Sequence, residues 1–232
     1  HVSVLIDPVT EAAVEFATCE LEGADPGSGK STVTILTSGT GGRPKAAKHT
    51  WSSLARPVRV VNSGESQRWF LSYRPQLYAG LQVALQCLAN HGALIVPPDN
   101  ADPSELVAFM AEAGAAYLST TPSYLRRLLT FAPAEVLEQT KLKQITLGGE
   151  VIDQQILDAA QTRFPGARLV HIYATTELGR CFSVTDGQAG FPRQFLERPS
   201  PDGVAMRIEN DELMVSSPNA MSGYDVRGAP TT

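Results

Sequence analysis

The strongest constraint on this chain is an alternation. Short apolar runs rich in β-branched and aromatic residues are separated by longer stretches with helical periodicity. The runs are Thr32–Leu36, Trp69–Ser72, Ala93–Val96, Ala116–Ser119, Gln144–Leu147 and Leu169–Tyr173. Between them, Gly80–Asn90 reads as a helix. Ser104 can cap a second helix to about Ala113, with Leu106, Phe109 and Met110 on one face. Ser123 can open a third through Leu129, and Asp153 can cap a fourth, Gln154–Arg163, ended by Pro165-Gly166. Strands without polar alternation, interleaved with helices, predict an α/β fold: a mostly parallel sheet covered by helices.

The pattern changes after about Gly179, where Gly, Pro and charged residues become dense. Val204–Ile208 and Glu212–Ser216 alternate and read as short strands of a small antiparallel β subdomain. The chain thus divides into an unassigned leader at 1–31, an α/β core at 32–179, and a β-rich subdomain at 180–232. In the leader, Val2–Ile6 reads as a strand and Leu21–Ser31 as a loop.

Composition excludes several classes. The net charge is −5 and no Lys or Arg run forms a stripe, so nucleic acid is not an expected partner. Cys19, Cys87 and Cys181 are too widely spaced for a zinc site, and their odd number argues against a disulfide framework; they read as small buried apolar residues. No apolar run is long enough to cross a membrane and no signal peptide is visible, so the expected location is cytoplasmic.

Two segments compete as phosphate loops. Ala24–Ser31 fits a loose Walker pattern through Gly27-Ser28-Gly29-Lys30-Ser31. A Walker loop must leave a buried strand and enter a helix, so that the helix N-terminus faces phosphate. Here acidic, loop-like sequence precedes it and a strand follows, so it reads as a linker. The second segment, Thr37-Ser38-Gly39-Thr40-Gly41-Gly42-Arg43-Pro44-Lys45, leaves a strand directly. Its glycines let backbone N–H groups converge on an anion, three hydroxyls can donate to phosphate oxygens, and Lys45 adds a mobile charge. A plain surface turn is the alternative.

Leu147-Gly148-Gly149-Glu150 and His171-Ile172-Tyr173-Ala174-Thr175-Thr176-Glu177 each follow a predicted strand. Ligands of open α/β sheets bind outside the carboxyl ends of strands. Tyr173 offers a face to a base, Thr176 a hydroxyl to phosphate, and Glu177 a hard oxygen to Mg2+. Each also has a plainer reading: core aromatic, helix cap, solvated carboxylate.

Together these stretches resemble the adenylate-forming superfamily of acyl- and aryl-CoA synthetases, nonribosomal peptide adenylation domains and luciferases. TSGTGGRPK is similar to that family's TSGTTGxPK loop, with Gly41 where Thr is usual. YATTE is similar to YGxTE, with Ala174 where Gly is usual. LGGE matches the adenine-side segment, and Asp211–Tyr224, DELMVSSPNAMSGY, resembles GELxVxGxxxxxGY. Ser119–Leu125, STTPSYL, resembles the family's VPxxL-type helix entry. The matches keep the family's order from about Thr32 to Tyr224.

The resemblance implies that Thr37, Ser38, Gly39, Thr40, Gly41, Gly42 and Lys45 hold the ATP β/γ-phosphates. Gly149 and Glu150 would border adenine, with Tyr173 and Ala174 against it; Thr176 would meet the α-phosphate and Glu177 would bind Mg2+. Lys45, Thr176 and Glu177 are then the catalytic set. Tyr78, Gly80 and His171 become candidates for the acid pocket. The implied reaction joins ATP and a carboxylic acid into an acyl-adenylate, with coenzyme A or the phosphopantetheine of an acyl carrier protein as thiol acceptor. Apolar residues at Leu77–Leu85, and no Asp in Trp69–Gly80, favour a fatty or aromatic acid. The family's small C-terminal catalytic domain is not represented in these 232 residues. The chain is therefore expected to be part of a larger enzyme, inactive alone, and to associate with itself or with the remainder. A nucleotide- or acyl-binding module without turnover is the alternative.

Overall fold

A computed structural model describes residues 32–37, 45–61 and 67–224. Strands β3 (Arg68–Leu71), β4 (Ala93–Ile95), β5 (Tyr117–Thr120), β6 (Gln144–Leu147), β7 (Arg168–Thr175) and β8 (Gly179–Val184) form one sheet in the order β4-β3-β5-β6-β7-β8. The first five are parallel; β8 closes one edge antiparallel to β7. The fold is α/β with a mostly parallel sheet, as the alternation predicts.

Helices cover both faces because the strands are apolar on both. α3 (Pro103–Glu112), α4 (Pro122–Phe131) and α6 (Gln154–Arg163) pack on one face around Phe70, Leu118, Ile145 and Leu147. On the other face α2 (Tyr78–Ala89) brings Val83 and Cys87 against Trp69 and Leu71. Each such side chain, removed from water, contributes about 1.5–3 kcal/mol. A single turn, α5 (Ala134–Leu137), follows α4.

Local signals set the helix starts, and two differ from expectation. α3 is capped by Asp102, not Ser104. The Asp102 carboxylate accepts from the Glu105 N–H, the Glu105 carboxylate accepts from the Asp102 N–H, and Pro103 stands at the first helical position. α4 is opened by Thr121, not Ser123, again with a proline next. Asp153 caps α6 as expected.

Two small antiparallel sheets complete the fold. β9 (Ala205–Glu209) and β10 (Glu212–Ser216) form a hairpin. β1 (Thr32–Thr37), β2 (Lys45–Thr50) and β11 (Gly223–Tyr224) form a three-stranded sheet, with β2 in the centre. β1 therefore stands outside the parallel sheet, and β2 was not anticipated. A one-turn helix, α1 (Trp51–Ala55), follows β2 and is capped by Thr50. Ile35 of β1 and Leu54 of α1 pack on Tyr78, Leu81 and Leu85 of α2, which seats this sheet beside the large one. The β7–β8 hairpin spans the Gly179 division and carries the large sheet on to Val184.

Candidate functional site

β1 and β2 pair with Thr37 opposite Lys45, so residues 38–44 join two antiparallel strands. Ser38, Gly39, Thr40, Gly41 and Gly42 lie outside the described residues, as do Gly27–Ser31, Val2–Ile6 and Cys19. Lys45, Ala47 and His49 share one face of β2 by the two-residue period of a strand. Tyr224 of β11 pairs with Ala47 and so lies on that face too.

This face meets the turn between β7 and β8. The Lys45 ammonium stands 5.2 Å from the centre of the Tyr224 ring. The Tyr224 hydroxyl donates to Glu177 Oε1 at 2.9 Å, and this bond pushes the phenol pKa up. One step along, His49 is fully buried and its Nε2 lies 2.7 Å from the Thr176 carbonyl oxygen. The Met221 N–H donates to the Glu177 carbonyl at 2.7 Å, and the Leu178 N–H to Thr175 Oγ1 at 3.0 Å. Lys45, Thr176 and Glu177 are thus gathered by two residues that the sequence reading gave no role, His49 and Tyr224. No signal in the sequence pointed to His49, because its strand was not legible there; Tyr224 lay inside the GY segment already singled out.

Burial lowers the His49 pKa, against smaller raising effects of the Thr176 carbonyl and the Glu177 carboxylate. A carbonyl can only accept, so Nε2 carries a proton. Ser53 Oγ lies 3.0 Å from Nδ1 and 2.9 Å from the Thr50 carbonyl; its one proton can go to only one of them, so in the neutral ring Nδ1 accepts from Ser53 only when that hydroxyl turns from Thr50.

The ends of β6 and β7 lie side by side, with Leu147 opposite His171. A Cβ on Gly148 would sit 2.7 Å from Ile172 Cγ1 of β7, so the glycine permits that contact. Gly149 adopts φ +83°. The Glu150 carboxylate accepts from the Ser123 N–H at 3.0 Å; the Ser123 hydroxyl above all, then that N–H and the Thr121 hydroxyl, holds it below the usual carboxylate range. Tyr73, after β3, donates to the Gly148 carbonyl at 3.3 Å. Tyr173 is exposed on one side and stacks on Phe182 of β8, ring centres 5.4 Å apart. The register shifts between Tyr173 and Ala174, a bulge that re-aims the residues leading to Thr176.

The three pocket candidates are placed differently. Tyr78 is buried below His49, with ring centres 5.7 Å apart, and burial pushes its hydroxyl up to about 12. Gly80 is packed tight: a Cβ there would lie 2.1 Å from the Arg74 carbonyl oxygen. His171 is buried and its Nε2 contacts the Gly190 carbonyl at 2.7 Å, tying down the segment after β8. Leu81 and Leu85 face the β1–α1 contact. Two surface depressions, of about 250 and 300 Å³, are lined by β9–β10 and by residues of Leu137–Ala167, and neither includes a candidate site residue.

Among the described residues no group of three His, Cys, Asp or Glu could cage a metal. A single carboxylate such as Glu177 suits Mg2+, which commonly takes one or two protein carboxylates plus substrate phosphates.

Comparison with known proteins bears on this arrangement. Residues 6–225 match the model of a family described as AMP-binding enzyme. The hybrid PKS-NRPS synthetase phm1 of a Pyrenochaetopsis species is 31% identical over 215 residues, covering 85% of this chain and 5% of that protein. A D-alanine–D-alanyl carrier protein ligase of Staphylococcus aureus strain JH9 is 25% identical over 150 residues, covering 62% of this chain and 31% of the ligase. Among solved structures, VinN in complex with L-aspartate superposes with TM-score 0.66 at 24% identity, covering 87% of this chain and 53% of VinN. E. coli MenE with bound OSB-AMS gives TM-score 0.66 at 24% identity, covering 84% and 41%. The chain thus spans only part of the length of the proteins it matches, and the structural likeness is one of fold.

Proposed function

From the premise that this chain belongs to the AMP-binding enzyme family, we propose that it is the nucleotide-binding part of an enzyme that activates a carboxylic acid with ATP. The observation that carries this reading is the gathering of Lys45, Thr176 and Glu177 along one face of β2. Such a set has the charge distribution that a polyphosphate and its cation require.

In the proposed reaction a substrate carboxylate oxygen attacks the α-phosphorus of ATP. The bond to the bridging oxygen breaks, pyrophosphate leaves, and an acyl-adenylate remains. A thiol then attacks the acyl carbon and AMP departs. The nucleophile of the first step belongs to the substrate, so the protein supplies positioning and charge. Lys45 offsets charge on the polyphosphate. The Thr176 hydroxyl donates to the α-phosphate. Glu177 would hold Mg2+, which when bound would neutralise phosphate charge, while its Oε1 accepts from Tyr224. Gly149, Glu150 and Tyr173, at the neighbouring strand ends, form the proposed adenine side.

The proposed acceptor is coenzyme A or carrier-protein phosphopantetheine. The likeness to a carrier-protein ligase and to a PKS-NRPS synthetase supports the carrier protein. For the acid, the sequence favours a fatty or aromatic compound, yet Leu81 and Leu85 serve packing. The likeness to a D-alanine ligase and to VinN with L-aspartate supports an amino acid as the second reading.

The test is carboxylate-dependent exchange of pyrophosphate into ATP by the full-length protein, across fatty, aromatic and amino acids. Exchange that Lys45→Ala and Glu177→Ala each reduce by on the order of 100-fold supports the reading. ATP binding without exchange by any acid would leave the chain a nucleotide-binding module and refute turnover.

A further inference from the structure

β2 is a rigid link between two contacts. It begins with Lys45 and nearly ends with His49, four residues on along the same face, a span of about 13–14 Å at ~3.4 Å per residue. Both neighbouring strands pair with it, β1 along its length and β11 at Ala47 and Lys48. At one end Lys45 reaches Tyr224, which holds the Glu177 side chain. At the other, His49 holds the main chain one residue earlier, at the Thr176 carbonyl.

The His49 contact is built. The ring is 0% exposed and both its nitrogens have partners, Thr176 O and Ser53 Oγ. Ser53 belongs to α1 and its hydroxyl also lies 2.9 Å from the Thr50 carbonyl, so the cap of α1 fixes the ring. Tyr78 packs at 5.7 Å on its flank. A buried imidazole must have its polar atoms satisfied; here the two partners belong to different elements, so the ring links α1 to the β7–β8 turn.

We propose that His49 is a positioning residue: its Nε2–H bond to the Thr176 carbonyl sets the Thr176–Glu177 turn at a fixed offset from Lys45. The proposal rests on the function given above for what that offset serves. It does not depend on that function for whether the offset exists. Without the bond, the turn keeps its sequence and its carboxylate but loses its register against the strand that carries the cation. Substrate binding through the loop survives, whereas alignment at the α-phosphate does not.

The test uses three variants of the full-length protein. Gln can place its Nε2 where that of the imidazole lies; Leu has similar bulk and no donor; Asn keeps an amide but is too short to reach Thr176. Amide hydrogen exchange at Leu178 and Met221, whose N–H groups report the turn, is expected to accelerate about 10-fold in His49→Leu and His49→Asn and to stay near wild type in His49→Gln. In pyrophosphate exchange, kcat is expected to fall on the order of 100-fold in the Leu and Asn variants with KM for ATP within about 3-fold, and to be largely retained in Gln. Should Leu fail to fold, the contrast between Asn and Gln decides. Equal behaviour of Asn and Gln, or wild-type amide exchange in Leu, overturns the proposal. A wild-type protein that shows no pyrophosphate exchange refutes the assigned reaction, and the amide exchange pattern still decides the role of His49.

Discussion

Gly179 ends the turn that carries Thr176 and Glu177, and its replacement by alanine tests how tightly that turn is packed. It has φ +69°, where an L side chain costs roughly 1–2 kcal/mol. An added Cβ would also sit 2.7 Å from Asn219 Cβ, 2.9 Å from the Asn219 carbonyl oxygen and 3.0 Å from the Tyr78 hydroxyl. Optimal carbon–carbon separations are about 3.5–4.0 Å, so Asn219 must move. It is 2% exposed and its side-chain amide donates to the Arg180 carbonyl at 2.9 Å, so moving it strains or breaks a buried bond. Overpacking of this kind costs about 1–3 kcal/mol, and an impaired buried hydrogen bond about 1 more. The sum is roughly 3–6 kcal/mol. At about 2–4 °C per kcal/mol for a chain of this size, Tm should fall by roughly 6–24 °C. Gly187 is the matched control, with φ +75° and nothing within 4 Å of its added Cβ. Gly187→Ala should cost only the backbone part, roughly 1–2 kcal/mol. Calorimetric or urea unfolding of both variants checks this. If their losses agree within about 0.5 kcal/mol, the packing argument around the turn is wrong.

Gly80→Ala should prevent stable folding, because the added Cβ meets main-chain atoms of Arg74 and Pro75, whereas Gly166→Ala, with open space, should be tolerated; soluble yield and circular dichroism separate them. Asp153, whose pKa is depressed first by the Ile156 N–H it accepts, contributes stability present above the unfolded value of about 3.9 and lost as pH falls through the lower folded value. Asp153→Ala should flatten that acid limb in a Tm–pH series. His49, depressed by burial, favours the neutral form: below about 6.5 the unfolded chain takes a proton that the folded chain resists, so stability falls as pH drops from there. His49→Gln should reduce that slope; an unchanged slope would show that folding does not shift the His49 pKa, and a steeper one that the fold favours the protonated ring. The Glu177 carboxylate and the Thr176 carbonyl oppose the shift.

The parts of this fold that were legible in the sequence are those decided locally. Gln144–Leu147, Glu212–Ser216 and Gln154–Arg163 fall at their expected bounds because apolar runs, alternation and an Asp cap each act over a few residues. The misplaced starts of α3 and α4 have a local cause too. A proline at the first helical position moves the cap one residue before it, to Asp102 and Thr121, so Ser104 and Ser123 fall inside the first turn. β2 was hidden for a different reason. KAAKHT has neither β-branched richness nor a charged face, and it is a strand because β1 and β11 pair with it from 8 and 175 residues away along the chain, at Thr37–Lys45 and Gly223–Lys48. β8 likewise becomes an edge of the large sheet only through β7.

The same division runs through the candidate site. Residue type gave Lys45, Thr176 and Glu177, since cation, hydroxyl and carboxylate each have a direct use toward phosphate. What brings them together is β2, which no local pattern announced. That strand also changes the electrostatic argument for the glycine-rich segment. In a strand–loop–helix unit the helix N-terminus lends partial positive charge to bound phosphate. Here the chain after the segment is the strand Lys45–Thr50, so no helix end follows it directly. Lys45 is then a side-chain charge that this hairpin offers, and it leans on Tyr224, beside the carboxylate proposed to carry the cation. A site built this way depends less on a helix dipole than on the spacing along one strand, which makes the buried His49 contact at its far end a sensitive place to break it.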